Sequence, residues 1–104
     1  MRFLVRITIP VETGNAKVKD GSLGPTLQTI LQLQNPEAVY FLDIDGMRTV
    51  YLIVNIANAS DITAIVEPWF LAFSARVELR TVLTMDDLSK GGPGLADIVA
   101  KFGS

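Results

Sequence analysis

The stretch AVYFLDIDGMRTVYLIVNI, residues 38–56, decides how the chain is organised. It contains two runs rich in β-branched and aromatic residues, AVYFLD (38–43) and RTVYLIVNI (48–56). Between them stands Asp45-Gly46, a pair that readily adopts the positive φ angles of a tight hairpin turn. The stretch therefore predicts a β-hairpin.

The second arm of this hairpin contains VYLIV (50–54), which is apolar at every position. An antiparallel strand with one wet face alternates apolar and polar residues, so a continuous apolar run indicates cover on both faces. The hairpin is therefore expected in a sheet that packs against something on each side.

Two further strands are predicted near the ends of the chain. RFLVRITI (2–9) alternates apolar and polar residues and stops at Pro10, which cannot donate a backbone hydrogen bond. ARVELRTVL (75–83) alternates in the same way, with Val77 and Leu79 on one side. Both segments are typical of strands with one buried face.

Residues 14–34 carry a helical stripe that is interrupted in its first half. Gly21, Gly24 and Pro25 break the polar first part of this segment. The helix is either kinked at Pro25 or begins afresh with Pro25 in its first turn. We prefer a helix that is firm from about residue 25. The apolar stripe comprises Leu23, Leu27, Ile30 and Leu31.

A second helix is predicted within residues 57–73. Ser60 is the candidate N-cap, and Asp61 falls in the first turn. Pro68 removes one backbone hydrogen bond in mid-helix, so we expect a bend near Ala64. The apolar stripe comprises Ile62, Ile65, Val66, Trp69, Phe70 and Phe73.

The C-terminal part of the chain is predicted to be a helical extension. Residues 84–87, TMDD, match a capping box, and GGPG (91–94) is a break before the amphipathic segment LADIVAKF (95–102). We expect residues 1–88 to form one α+β domain. Residues 89–104 are then a C-terminal extension and not a separate domain.

The order of elements is βαββαβ, which is typical of the ferredoxin-like fold. That fold predicts a four-stranded antiparallel sheet in the order 4-1-3-2, with two helices on one face. The other, open face would carry Leu4, Arg6, Thr8, Tyr51, Ile53, Asn55, Arg76, Glu78 and Arg80, with Tyr40 or Phe41 from the edge strand. It is too apolar for a solvated surface and too charged for a dry core. Two such faces could pack together as a closed barrel.

Composition excludes several kinds of site. Cysteine and histidine are absent, so thiolate nucleophiles, zinc–sulfur sites and the usual neutral-pH base are missing. The net charge of −2 with no basic run argues against nucleic acid. No apolar run approaches the roughly 20 residues of a membrane helix, and Arg6 interrupts the apolar start, so we expect a cytoplasmic protein. With 49% hydrophobic residues, surplus apolar surface is expected at a subunit interface.

The segments GN (14–15), PEAVYF (36–41) and EPWFLAFSARVELRTVLT (67–84) resemble small stand-alone bacterial proteins of the dimeric α/β-barrel superfamily. This superfamily includes muconolactone isomerase-like enzymes and antibiotic-biosynthesis-type monooxygenases. The resemblance covers roughly residues 1–88. It implies a homodimer that pairs through the open sheet face. Relatives that degrade haem use an axial histidine, which this chain lacks, so no cofactor is expected.

Acidic residues are the first candidates for chemistry. Asp43 and Asp45 flank the hairpin turn and are expected to serve that turn, not a metal. Asp86 and Asp87 are expected to serve a helix N-terminus, so no metal site is predicted. Glu67 stands before a proline inside an apolar stripe, where burial would raise its pKa. An exposed position on the back of the helix is the alternative for Glu67.

Two readings of the open face remain. In one, Arg6, Glu78 and Arg80 form a cross-strand ion-pair network at a dimer interface, and the protein is a small-molecule binder or accessory protein. In the other, the face lines a cavity for a small carboxylate or enolate, and the protein is a cofactor-independent isomerase or monooxygenase. The sequence leaves open whether the protein is an enzyme.

The enzyme hypothesis assigns catalytic residues by name. The general base would be Glu67 or Glu78, with Tyr40 or Tyr51 donating a hydrogen bond to the substrate. The residues expected to contact a ligand are Arg6, Arg80, Tyr40, Tyr51 and Asn55.

Overall fold

The computed structural model describes residues 1–103, so Ser104, the last residue of the predicted extension, lies outside the described chain. The strands are Arg2–Thr8 (β1), Ala38–Ile44 (β2), Met47–Asn55 (β3) and Arg76–Thr81 (β4). The helices are Val11–Asp20 (α1), Leu23–Gln34 (α2), Ile62–Phe73 (α3), Met85–Gly91 (α4) and Leu95–Phe102 (α5). Single 3₁₀ turns cover Ala59–Asp61 and Gly92–Gly94.

The four strands form one sheet in the order β2-β3-β1-β4, and every neighbouring pair is antiparallel. This is the predicted order 4-1-3-2 read from the other edge, so the α+β class and the strand order are confirmed. Asp45 and Gly46 have φ angles of 54° and 77°, as the predicted hairpin turn requires.

Helices α1, α2 and α3 lie on one face of this sheet. Side chains of α2 and α3 share a buried core with alternate residues of β1 and β3. Helix α1 joins the same layer because Lys17 Nζ lies 5.4 Å from the centroid of the Phe73 ring. The central core residues are Val5, Ile7, Ile30, Val50, Leu52, Val54, Trp69 and Phe73.

Two helices, α1 and α2, replace the single helix predicted between the first two strands. Gly21 ends α1 with a φ of 81°, and the N–H groups of Gly21 and Ser22 donate to the carbonyls of Val18 and Lys17. This is the Schellman pattern of a helix C-terminus. Helix α2 begins at Leu23, so Pro25 lies in its first turn. This confirms the alternative in which a new helix begins close to Pro25. The preference for helix only from about residue 25 is wrong for residues 11–20.

The start of α3 differs from the prediction that Ser60 is the N-cap. A 3₁₀ turn precedes the helix, and Asn58 and Asp61 form its capping box. The Asp61 carboxylate accepts from the Asn58 N–H at 3.2 Å. The helical turn therefore begins earlier than the apolar stripe indicates, and Ser60 lies inside it.

The C-terminal helices lie largely outside the core. The predicted capping box at the start of α4 is present: the Asp87 N–H donates to Thr84 Oγ1 at 3.1 Å, and the Thr84 N–H donates to Asp87 Oδ2 at 2.9 Å. All residues of α5 are exposed, and the molecule is 60 Å long. The exposed apolar side chains of α5 are Leu95, Ile98, Val99 and Phe102.

Candidate functional site

Four of the candidate residues form one row across the open face of the sheet. Strand register places Tyr40 opposite Tyr51, Tyr51 opposite Arg6, and Arg6 opposite Glu78. Side chains of directly opposed residues lie on the same face, with Cβ atoms about 4.5–5.5 Å apart. We call this set the polar row. It brings two phenols, a guanidinium and a carboxylate onto a face that none of α1, α2 and α3 covers.

Arg6 lies at the centre of the polar row and is only partly exposed. Its Nε is buried and has no hydrogen-bond partner within residues 1–103. Glu78 stands directly opposite, but its Oε2 accepts from Arg80 Nη2 at 3.1 Å instead. Because residues two apart on a strand share a face, Arg80 competes with Arg6 for the same carboxylate.

The open face therefore has more positive than negative charge. Arg6, Arg76 and Arg80 belong to it, and Glu78 is the carboxylate among them. The predicted ion-pair network is present only as the Glu78–Arg80 pair. This leaves the Arg6 guanidinium without a carboxylate within 4.0 Å among the described residues.

Apolar side chains stand beside the polar row. Leu4 lies opposite Ile53 in the adjoining row, and both are partly buried. Tyr40, at the end of the polar row, is 66% exposed. Phe41, the other edge residue considered for this face, lies opposite Val50 and so belongs to the helix-covered side.

Asn55 does not join the polar row. It lies four residues along β3 from Tyr51, a distance of about 13 Å in a strand. Its Oδ1 accepts from the amino group of Met1 at 3.2 Å. Asn55 instead lines a separate pocket of about 410 Å³ at the end of the sheet, together with Arg2 and Asp87. Its predicted contact with the same ligand as Arg6 does not fit this placement.

Glu67 is exposed, on the helix-covered side of the sheet. Of the two positions considered for Glu67, the exposed one on the back of the helix is confirmed and the partly buried one is wrong. Helix α3 turns Trp69 and Phe73 into the core, and at 100° per residue Glu67 points well away from both. The sheet separates Glu67 from the polar row, so the two cannot act on one ligand.

Two other acidic candidates, Asp86 and Asp87, have local structural roles. Asp86 forms an ion pair with Lys90 at 2.9 Å. Hydrogen bonds from the backbone and side chain of Thr84 hold the pKa of Asp87 below its usual value. In residues 1–103 no cluster of three or more acidic side chains is placed to hold a metal ion.

Sequence reasoning missed Arg48. It lies on the helix-covered side of the sheet, because alternate residues of β3 share a face and Arg48 alternates with Val50 and Leu52. Its Nη1 donates to Asn15 Oδ1 at 3.0 Å, and it borders an apolar pocket of about 340 Å³. The signal that could have identified Arg48 is strand alternation, because it lies two residues before Val50 and four before Leu52, which are both buried.

Comparison with known proteins gives no family. A scan of the sequence against models of protein families gives no match, and a search among curated proteins gives no significant match. None of the helices described within residues 1–103 is long and apolar enough to cross a membrane.

Proposed function

We propose that the protein is a homodimeric, ferredoxin-like small-molecule-binding domain. In this proposal two chains pack open face against open face into a closed α/β barrel. The polar row of each chain then lines a cavity that binds a small carboxylate or enolate. The observation that carries the proposal is Arg6, whose Nε is buried and unpaired in a partly apolar sheet face.

The dimer is supported by the composition of the open face. Leu4, Tyr51 and Ile53 are apolar or aromatic and only partly buried, although no helix of the α1–α3 layer covers them. A second sheet placed over them would remove their remaining apolar surface from water, which is worth roughly 25 cal/mol per Å² before the costs of association. A C₂ contact through one self-complementary face is the commonest form of homodimer.

The ligand class is supported by the charges and donors of the polar row. Arginine presents a planar fork that matches a carboxylate, and Arg6 is not neutralised by a neighbouring acid. Tyr51 lies beside Arg6 and Tyr40 lies beside Tyr51, and both can donate hydrogen bonds from their phenols. The pairing of Glu78 with Arg80 keeps that carboxylate from occupying the Arg6 position.

Sedimentation equilibrium tests the dimer. We expect the mass of two chains at micromolar concentration, and the mass of one chain for Ile53→Asp. The matched control is Leu71→Asp, because Leu71 is 82% exposed on α3 and lies on the other side of the sheet. A single-chain mass for the unaltered protein would remove the barrel and this proposal with it.

Calorimetric titration with benzoate and other small aromatic carboxylates tests the ligand. Removing the guanidinium in Arg6→Met should weaken binding by about tenfold or more, because charge-assisted hydrogen bonds are lost. Arg2→Met is the control, since Arg2 already pairs with Glu37 at 3.0 Å away from the polar row. Equal weakening by both variants would mean a general charge effect and would contradict the assignment.

An enzyme remains the second proposal for the same site, favoured by the position of Glu78 next to Arg6. The Glu78 carboxylate would take a proton from carbon α to a carbonyl, and Arg6 would stabilise the enolate. Deuterium exchange at that carbon in a small keto acid, followed by NMR in D₂O, is the test. We expect exchange to disappear in Glu78→Gln and to persist in Glu67→Gln. Exchange no faster than in buffer would contradict the enzyme proposal and would not affect the binding proposal.

A further inference from the structure

A second concave site lies on the helix-covered side of the sheet. It is a half-open pocket of about 340 Å³ between α2, the end of β1 and the β2–β3 hairpin. Its volume is at the lower end of the range for small-molecule sites, about 300–1,000 Å³. The apolar side chains that line it include Ile9, Leu23, Leu27, Phe41 and Val50.

Arg48 borders this pocket and is held in place by helix α1. Its Nη1 donates to Asn15 Oδ1 at 3.0 Å. Gly14 is buried against the same guanidinium, and a Cβ at that position would stand 2.7 Å from Nη1. The contact with Gly14 and the hydrogen bond to Asn15 thus hold the guanidinium beside an apolar pocket.

The charge of Arg48 is not neutralised. Within residues 1–103 no carboxylate oxygen lies within 4.0 Å of its guanidinium nitrogens. Asp43 is its cross-strand partner on β2, but Asp43 is exposed and makes no ion pair with it at that distance. A guanidinium has five N–H donors, and Asn15 accepts from one nitrogen, so donors remain for a ligand.

We propose that this pocket binds a monocarboxylate with an unbranched apolar chain. The carboxylate pairs with the Arg48 guanidinium, and the chain lies between α2 and the hairpin among Leu23, Leu27 and Phe41. Charge complementarity at the rim and the apolar lining select this chemistry over a polar or dianionic ligand. The site is separate from the polar row, so it does not depend on the dimer.

Titration of ¹⁵N-labelled protein with sodium octanoate, followed by two-dimensional NMR, tests the site. We expect saturable shifts of the amides of Leu23, Leu27 and Val50 at millimolar ligand or below. Hexanoate should bind more weakly, by up to about fourfold for each methylene removed, because less apolar surface is buried. 1-Octanol, which has the same chain and no charge, should bind at least about tenfold more weakly than octanoate.

Three variants test whether the Arg48 charge, and not a general loss of charge or of folding, determines octanoate affinity. Arg48→Met keeps a long unbranched side chain and should lower octanoate affinity about tenfold or more. Gly14→Ala should lower it as well, because the new methyl group displaces the end of the Arg48 side chain while the helix backbone is kept. Arg76→Met is the control for charge, since Arg76 is exposed on the other face of the sheet.

The outcomes distinguish this site from the polar row. Loss of binding in Arg48→Met with full binding in Arg76→Met supports the pocket. Loss in Arg6→Met with full binding in Arg48→Met would place the carboxylate on the open face and overturn the inference. It would also be overturned by equal affinity for octanoate and octanol, or by no saturable shift at millimolar concentration.

Discussion

Gln34 supplies the hydrogen-bond donor that Pro68 lacks. In a regular α-helix the N–H of residue 68 would donate to the carbonyl of Ala64, and proline has no N–H. Gln34 Nε2, reaching from the end of α2, donates to the carbonyls of Ala64 at 3.2 Å and Ile65 at 2.8 Å. Its Oε1 accepts from the indole N–H of Trp69 at 3.1 Å. The Gln34 side chain thus forms hydrogen bonds both with the carbonyl that Pro68 leaves without its helical donor and with the indole N–H of the adjacent Trp69.

Replacing Gln34 by alanine is expected to destabilise the fold. The change leaves the indole N–H of the fully buried Trp69 without its partner, whereas water can replace Gln34 at the carbonyl of the exposed Ala64. Unsatisfied buried polar groups cost about 1–3 kcal/mol, so the free energy of unfolding should fall by that amount. Urea unfolding monitored by Trp69 fluorescence measures it. Gln32→Ala, an exposed position on the same helix, should cost less than about 0.5 kcal/mol.

Replacing Pro68 by alanine is expected to reduce the importance of Gln34. Alanine restores an N–H for the Ala64 carbonyl and is a far better helix former than proline. The variant should unfold at higher urea concentration than the unaltered protein. In its background Gln34→Ala should cost about 0.5–1.5 kcal/mol less than in the original chain, which a double-mutant cycle measures. Strict additivity would show that the two residues do not compensate each other.

Acid is expected to weaken the start of helix α4. The folded-state pKa of Asp87 lies below its ordinary value because Thr84 donates to the carboxylate, so the stabilisation is complete above the unfolded pKa of about 3.9. It is lost as the pH falls through the folded pKa. Cα chemical shifts of residues 85–90 should therefore move toward coil values below about pH 4.

The acid effect has its own control. Asp87→Asn should remove most of this pH dependence, whereas Asp86→Asn should keep it, because the capping hydrogen bonds belong to Asp87. Helical shifts that stay constant from neutral pH to about pH 2 would show that the cap does not depend on ionised Asp87.

Removing residues 95–104 is expected to leave the stability of the sheet domain unchanged. Helix α5 exposes its apolar side chains and adds no residue to the core. The free energy of unfolding should change by less than about 0.5 kcal/mol, and binding of a hydrophobic dye should fall. A larger loss that also depends on protein concentration would instead show that α5 packs on a second copy of the chain.

Much of the sheet could be predicted because its signals are local. Alternation identified β1 and β4, and two apolar runs on either side of Asp45-Gly46 identified β2 and β3. The two-residue turn at Asp45-Gly46 also sets the register that places Tyr40 opposite Tyr51. The neighbourhood of Arg6 and Glu78 followed only from the assumed strand order, since their segments are far apart in sequence.

Other features depend on contacts that local patterns do not contain. Helix α1 is polar and glycine-containing, so propensity alone does not favour it. It is supported by Arg48 against Gly14 and by Lys17 over the ring of Phe73, both of them contacts with distant residues. The exposure of Glu67 likewise depends on which side of α3 meets the sheet. The stripe through Trp69 and Phe73 indicates that side, and Glu67, two residues before Trp69, lies on the opposite side of the helix.

The inner position of β1 has a consequence for how the chain folds. Arg2 pairs with Asn55 of β3 and Phe3 with Thr81 of β4. Strand β1, the first of the four in chain order, can therefore pair only after both of these strands have been synthesised. The β2–β3 hairpin, closed by two residues, can form within microseconds, whereas β1 and β4 must close a loop that spans most of the domain. High contact order of this kind slows folding. Arrival of β4 at β1 is therefore expected to limit the folding rate, and a nascent chain that stalls before β4 would expose one edge of β1.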